Sequence, residues 1–303
     1  MVTPENSMAI FFEEAKVPWN LTSHGQKAAE VFQFTQGHER GVPYTPVAIL
    51  LDHYAGYNGY MDKPWGILEP TAGDREVRDL FDFQLFPGSD HIHAKPDKAN
   101  PEASYLRPTP YGEIFDVLLS SVGPGILPSY PVILLAGDIE FDDALIAKLQ
   151  EALKGGSQVL IAQHHWQALG LRFDELSRHG SLAVLEAWTN PVTRRSAAIS
   201  TERLIQVIRD NLPIELTGDP IQYHINRVRK GWVVELVNNG GVVKKPDQPA
   251  VIDSRAVSHV VLKAKFNYGS AREWRSGRLH QNPGTVEVEI GPGKTEFVEF
   301  ANQ

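Results

Sequence analysis

The sequence contains no cysteine among its 303 residues. A disulfide, a thiolate metal site and a thiol nucleophile are therefore all excluded. It also lacks the roughly 18 consecutive apolar residues of a membrane-spanning helix, so we expect no membrane partner. Residues 1–15 show no basic region followed by an apolar one. We therefore expect no signal peptide in this chain, and cytoplasmic and periplasmic locations both stay open.

Positive charge is also scarce. Lys and Arg together number 29 against 37 for Asp and Glu, which gives a net charge of −8. Basic residues never form a run longer than two, so no basic stripe exists and we expect no nucleic-acid partner. With 42% hydrophobic and 22% charged residues the composition is that of a globular protein, and the length suggests roughly two domains.

Three apolar runs in the first half of the chain each end in a polar cluster. The runs are Val47–Leu51, Val132–Leu135 and Val159–Ala162. Uninterrupted runs of this kind are typical of strands buried on both faces of a parallel sheet. The carboxyl ends of such strands meet at one edge, where open α/β sheets bind their ligands. The clusters at that edge are Asp52-His53-Tyr54, Gly137-Asp138-Ile139-Glu140 and Gln163-His164-His165.

Apolar residues with helical spacing occur around these runs, and after them the spacing of the apolar residues changes. The predicted helices are Ser23–Gly37 with a Ser23/Gln26 capping box, Asp74–Phe86, Gly112–Ser121, Asp142–Lys154 and Thr201–Asn211. After about residue 216 the period becomes two, which indicates antiparallel strands. We therefore predict an N-terminal helical arm over 1–43, an α/β domain over 44–215 and a β-sandwich over 216–303. Within the α/β domain, residues 55–110 form a long insert that we interpret as a lid.

Acidic and imidazole groups at the strand ends are the candidate chemistry. Asp52, Asp138, Glu140 and His164 are candidate catalytic residues, because neighbouring carboxyls can act as general acid and base. Glu113 is a further acid that could take part. The alternative is structural: the acids cap turns, and His164 packs under the insert.

The insert and the strand ends are also rich in rings, which suit a sugar site. The predicted substrate-binding residues are His53, Tyr54, Trp65, His91, His93, Tyr111 and His165. Packing of the insert onto the sheet explains the rings equally well. His91 and His93 point the same way in an extended segment and could bind one metal together with His164 or His165 and a carboxylate. Loop histidines often only form hydrogen bonds, however, and we expect no metal. No nucleophile elbow or phosphate loop is present, and we expect no cofactor.

The order of these segments resembles a known arrangement. Tyr44–Asp52, the insert, Pro108–Glu113 and Tyr130–Gly137 are similar to a class I glutamine-amidotransferase-like domain, which is flavodoxin-like in topology. The same domain is the middle, trimerisation domain of glycoside hydrolase family 42 beta-galactosidases. The later segments Gly231–Asn239 and Gly291–Phe300 are similar to the C-terminal β-sandwich of those enzymes. The resemblance covers about residues 44–303 and implies a carbohydrate partner and a homo-oligomer.

Two departures from that pattern bear on activity. An amidotransferase has a cysteine in the turn after the strand that corresponds to 157–162, whereas this turn reads Gln163-His164-His165. Glutaminase activity is therefore excluded, because the thiolate is its reagent. The family 42 catalytic glutamates lie on a preceding barrel of about 250 residues. Only 43 residues precede this region here, so those glutamates have no matching positions.

Two hypotheses follow. In the first, the chain is itself a glycoside hydrolase, beta-galactosidase-like, that uses the carboxylate and histidine cluster at the sheet edge. In the second, it is a non-catalytic oligomerisation or accessory module of a larger glycosidase-like protein.

Overall fold

The computed structural model describes residues 20–54, 67–85, 112, 114–186, 188–189, 196–197, 200–243, 251–281 and 284–301. The strands are β1 (Val42–Pro43), β2 (Val47–Leu51), β3 (Phe115–Leu119), β4 (Val132–Leu135), β5 (Gln158–Ala162), β6 (Leu182–Leu185), β7 (Trp188–Thr189), β8 (Ser196–Ala197), β9 (Ile214–Gly218), β10 (Gln222–Val228), β11 (Gly231–Val237), β12 (Val242–Val243), β13 (Val251–Ile252), β14 (Ser258–Ala264), β15 (Ser270–Glu273), β16 (Leu279–Gln281), β17 (Val286–Ile290) and β18 (Thr295–Ala301). The helices are α1 (Ser23–Gln36), α2 (Ala72–Asp79), α3 (Asp143–Lys154), α4 (Gln163–Leu169), α5 (Leu171–Ser177) and α6 (Thr201–Asp210), with a π-helical segment at Leu80–Leu85 and a 3₁₀ turn at Leu127–Ser129.

Five parallel strands form one sheet in the order β3-β2-β4-β5-β6. Ala48 of β2 lies between Asp116 of β3 and Ile133 of β4. Counted along the chain within this sheet, the order is 2-1-3-4-5, so the chain leaves β2 on one side and returns on the other. A reversal of this kind opens a crevice at the carboxyl ends of the two central strands, here β2 and β4.

Both faces of the parallel sheet are buried, as the continuous apolar runs predict. On one face, Ala48, Leu50 and Ile133 pack with Leu145 and Leu149 of α3. The residues that point to the other face join a second core, which contains α2, α6 and the antiparallel strands. Its members include Val47, Ile49, Leu134, Val77, Leu204, Ile208, Val234 and Phe300. The α/β and antiparallel parts therefore share one apolar core.

The antiparallel part consists of two larger sheets. One has six strands in the order β1-β10-β11-β18-β15-β16, and the other has three in the order β17-β14-β9. Two further two-stranded ladders join β12 with β13 and β7 with β8. The N-terminal strand β1 belongs to the six-stranded sheet, where Val42 pairs with Arg227. The predicted domain boundaries stay predictions.

One predicted helix is wrong. The apolar spacing predicts a helix over Gly112–Ser121, whereas residues 115–119 form β3. Phe115 and Val117 pair in parallel with Val47 and Ile49 of β2, and this ladder outweighs a weak local preference. As an edge strand β3 is half exposed, so the uninterrupted apolar run typical of a central strand is missing.

Two helix starts also differ from prediction. The N-cap of α1 is Thr22, whose hydroxyl accepts the Gly25 N–H, rather than Ser23. Helix α2 begins two residues before the predicted Asp74, with a capping box between Thr71 and Asp74, and the chain continues as a π-helical turn to Leu85. Among the described residues, no helix has the length and apolar character required to cross a membrane.

Candidate functional site

Asp52 follows β2 at the carboxyl edge of the parallel sheet and is almost fully enclosed, with 6% of its surface exposed. Its Oδ1 accepts the Tyr54 N–H at 2.8 Å, and its Oδ2 accepts the Glu140 N–H at 3.0 Å. The Ser120 hydroxyl lies 3.5 Å from the same Oδ2. Asp52 therefore ties the turn after β2 to the loops after β4 and β3.

The loop after β4 turns sharply at Gly137, where φ is 79°. Asp138 follows on the surface, and its Oδ2 accepts the Thr71 hydroxyl at 2.7 Å. Gly73 of α2 lies so close that a Cβ there would stand 2.4 Å from the Asp138 amide nitrogen. The start of α2 thus rests directly on this loop. Glu140, the other predicted acid of the loop, is exposed.

His165 lies under the loop, in the first turn of α4. Its Nδ1 accepts the Ala162 N–H at 3.2 Å, and its Nε2 donates to the Gly137 carbonyl at 2.7 Å. These two bonds select one neutral tautomer. Burial, with a smaller contribution from the neighbouring His164, lowers the pKa of His165 to about 4. His165 is therefore a neutral structural group at physiological pH.

Glu76 reaches the same loop from α2 and is the acid that the sequence analysis missed. Its Oε1 accepts the Gly137 N–H at 3.2 Å, and its Oε2 lies 3.3 Å from His164 Nε2. The Glu76 side chain is 7% exposed and that of His164 is 42% exposed. Burial raises the pKa of Glu76 to about 7, while His164 and the Gly137 N–H pull it down and Asp138 adds to the rise.

The predicted residues therefore form two neighbouring groups. Asp138, His164 and His165 gather around Gly137, and Asp52 contacts the backbone of Glu140 beside them. His53 and Tyr54 lie on the surface after β2, with ring centroids 3.7 Å apart and Tyr54 79% exposed. Four predicted binding residues and one further acid lie outside the described residues: Trp65, His91, His93, Tyr111 and Glu113.

A sequence signal for Glu76 existed. Val77 and Leu80 are apolar and three residues apart, so they mark one face of the predicted helix. Glu76, which is next to Val77 and four residues before Leu80, lies on that face. An acid on the buried face of a capped helix has to meet a partner, and this one meets the loop after β4.

Among the described residues, one carboxylate and two imidazole side chains lie close enough together to be considered as metal ligands. Ligand atoms of Glu76, His164 and His165 lie within 4.8 Å of one another. However, His165 uses both ring nitrogens in hydrogen bonds to the backbone. If Nε2 bound a metal ion, the proton of the neutral ring would move to Nδ1. Nδ1 could then no longer accept the Ala162 N–H, and two N–H groups would face each other. Glu76 and His164 remain, which is fewer than the three or four protein ligands of zinc sites.

Comparisons with known proteins gave structural matches only. No protein-family model matches the sequence, and a search of curated proteins gave no significant match. Alpha-L-fucosidase isoenzyme 2 from Paenibacillus thiaminolyticus is 10% identical with a TM-score of 0.47, and the match covers 92% of this chain and 52% of that one. The apo exo-carrageenase GH42 from Bacteroides ovatus is 11% identical with a TM-score of 0.41, covering 91% of this chain and 31% of that one. Gan42B, a GH42 beta-galactosidase, is 11% identical with a TM-score of 0.40, covering 93% and 44%. The chain thus spans about half or less of each of these proteins.

Proposed function

We propose that this chain is the α/β and β-sandwich part of a carbohydrate-active protein, and that its sheet edge is a scaffold and binding surface without a bond-cleaving centre. The order of a parallel sheet followed by antiparallel sheets supports this, since it is the order that the sequence resemblance implies. The strand order 2-1-3-4-5 supports a flavodoxin-like arrangement of the first part. Self-association remains part of the proposal and can be measured by light scattering.

The hydrogen bonding of Asp52 carries the non-catalytic assignment. A glycosidase needs two carboxyl groups that face the substrate, one to donate a proton and one to attack or to activate water. One oxygen of Asp52 accepts an N–H of the turn after β2, and the other accepts an N–H of the loop after β4. His165 is equally committed, because both its nitrogens bind backbone groups. These two residues therefore hold the edge together.

The surface pair His53 and Tyr54 is the proposed contact with sugar. An exposed phenol ring offers an apolar face for a pyranose, and the imidazole beside it offers a hydrogen-bonding group. Affinity electrophoresis of the purified chain in gels that contain a galactan tests this contact. We expect retardation, and we expect Tyr54→Ala to remove most of it. Phe32→Ala, which removes an exposed ring on α1, is the matched control and should migrate like the parent.

A panel of nitrophenyl glycosides tests the absence of catalysis. We expect no turnover above buffer for the parent chain, while the retardation in the gel persists. Turnover that falls together in Asp138→Asn and Glu140→Gln would overturn the non-catalytic assignment. If Tyr54→Ala and Phe32→Ala both keep the retardation of the parent, or both lose it equally, Tyr54 is not part of the sugar contact.

A specific observation favours a second candidate, hydrolysis by Glu76 and His164. An acid with a pKa of about 7 beside a part-exposed imidazole suits general acid–base catalysis near neutral pH. This candidate is the beta-galactosidase-like hypothesis with Glu76 in place of Asp52. It requires turnover by the parent that Glu76→Gln abolishes.

A further inference from the structure

Helix α2 lies against the loop after β4 with almost no space between them. Besides the contact at Gly73, a Cβ on Gly137 would lie 2.8 Å from Cγ2 of Val77. The Thr71 hydroxyl holds Asp138 at the start of the helix. We call these contacts, with that of Glu76, the α2 contact. The helix cannot shift along the loop without breaking the α2 contact.

Glu76 is the titratable group in the middle of the α2 contact. A protonated carboxyl can accept the Gly137 N–H on one oxygen and donate its proton to His164 Nε2 from the other. An ionised carboxyl facing a neutral imidazole leaves a buried charge near Asp138 with no compensating cation on His164. The Gly137 N–H still binds this carboxylate, but burial of a charge without a compensating cation is unfavourable. The contact is therefore stable while the pair shares one proton, and weaker after that proton leaves.

We propose that the protonation state of the Glu76–His164 pair controls how firmly residues 71–85 are held over the carboxyl edge of the parallel sheet. One proton in the pair keeps the segment in place, and loss of that proton loosens it. Gly73, Glu76 and Val77 of the segment contact Gly137 and Asp138, so its release would expose the loop at the carboxyl end of β4. This inference holds whether or not the edge binds sugar.

The charged neighbours of Glu76 give the direction and range of this effect. The pKa of Glu76 is raised above its ordinary value, so the stabilisation is complete at low pH and is lost as the pH rises through about 7. The other titratable and charged groups near the contact, apart from His164, have neighbouring partners: Asp138 with Thr71, the neutral His165 with Gly137, Asp74 with the Thr71 N–H, Arg75 with the Pro70 carbonyl, and Arg78 with Asp79.

Hydrogen exchange measured by mass spectrometry at several pH values tests the proposal. The opening equilibrium of peptides within 71–85, corrected for the intrinsic exchange rate, is compared with that of α3 in the same sample. For the parent we expect opening to increase about tenfold between pH 6 and 8.5, because Glu76 loses its proton over this range. Glu76→Gln, which cannot ionise, should show constant opening. Glu140→Gln changes an exposed acid of the same edge and should behave like the parent.

A second variant keeps the proposal testable if Glu76→Gln does not fold. Cationic His164 pulls the pKa of Glu76 down, so the removal of this cation in His164→Gln should move the transition to higher pH. Unchanged protection of α3 shows that a variant is folded. Constant opening in the parent, a persistent pH response in Glu76→Gln, or an unmoved midpoint in His164→Gln would each overturn the proposal.

Discussion

Replacement of Asp52 by asparagine separates a structural role from a catalytic one. Asparagine has one side-chain oxygen, so it can accept from either the Tyr54 N–H or the Glu140 N–H, whereas Asp52 accepts from both. Its amide group would then face the other N–H donor at about 3 Å. A hydrogen bond to a charged group contributes about 1.5–3 kcal/mol. We therefore expect Asp52→Asn to lower the free energy of unfolding by about 2–3 kcal/mol.

Urea denaturation followed by circular dichroism measures this loss, and Glu140→Gln is the matched control. The Glu140 side chain is exposed and only its backbone binds Asp52, so the control should stay within about 0.5 kcal/mol of the parent. A catalytic carboxylate behaves in the opposite way, since its neutralisation often leaves stability unchanged or raises it. Equal stability of Asp52→Asn and the parent would refute the argument that Asp52 is a structural link.

Three further variants probe the same region and its surroundings. Gly73→Ala should lower the unfolding free energy by about 1–3 kcal/mol because its methyl would overlap the Asp138 backbone, whereas Gly123→Ala, with open space around it, should not; thermal denaturation compares them. The pKa of His165 in the folded protein is lowered from 6.5 to about 4, so the free energy of unfolding should fall by up to about 3 kcal/mol as the pH drops from 6.5 to 4. His165→Gln should remove this fall, which urea midpoints measured at several pH values would show. Ser157→Ala should raise the free energy of unfolding by about 0.5–1 kcal/mol, because the buried Ser157 hydroxyl has no hydrogen-bond partner. A higher urea midpoint would show this gain.

The core strands could be predicted from sequence, because burial on both faces leaves an uninterrupted apolar run. Val47–Leu51 and Val132–Leu135 occur as predicted, and both lie in the interior of the parallel sheet. The edge strand β3 could not, because exposure of one side mixes Asp116 into its apolar residues and imitates helical spacing. Its strand conformation depends on the ladder with β2, which is a contact between residues 68 positions apart in sequence, such as Val47 and Phe115.

The candidate site was predicted only in its location. The carboxyl ends of β2, β4 and β5 do bring Asp52, Asp138 and His164 to one edge, as parallel strands require. Residue type alone could not tell which of these groups have their hydrogen-bonding atoms engaged by the backbone. Glu76 comes from a helix some 60 residues before the loop it contacts, so no pattern at the strand ends pointed to it.

The polar strand ends therefore have unequal roles. Asp52 accepts the N–H groups of Tyr54 and Glu140, and the buried His165 binds the Ala162 N–H and the Gly137 carbonyl, so both residues hold the chain at the ends of β2, β4 and β5 together. Glu76 and His164 form the pair whose charge can change near neutral pH while part of it remains open to solvent. Substitutions at Asp52 and His165 should consequently alter stability first, and substitutions in the pair should alter pH response first. If all four residues were catalytic, each substitution would instead abolish turnover and change the stability little.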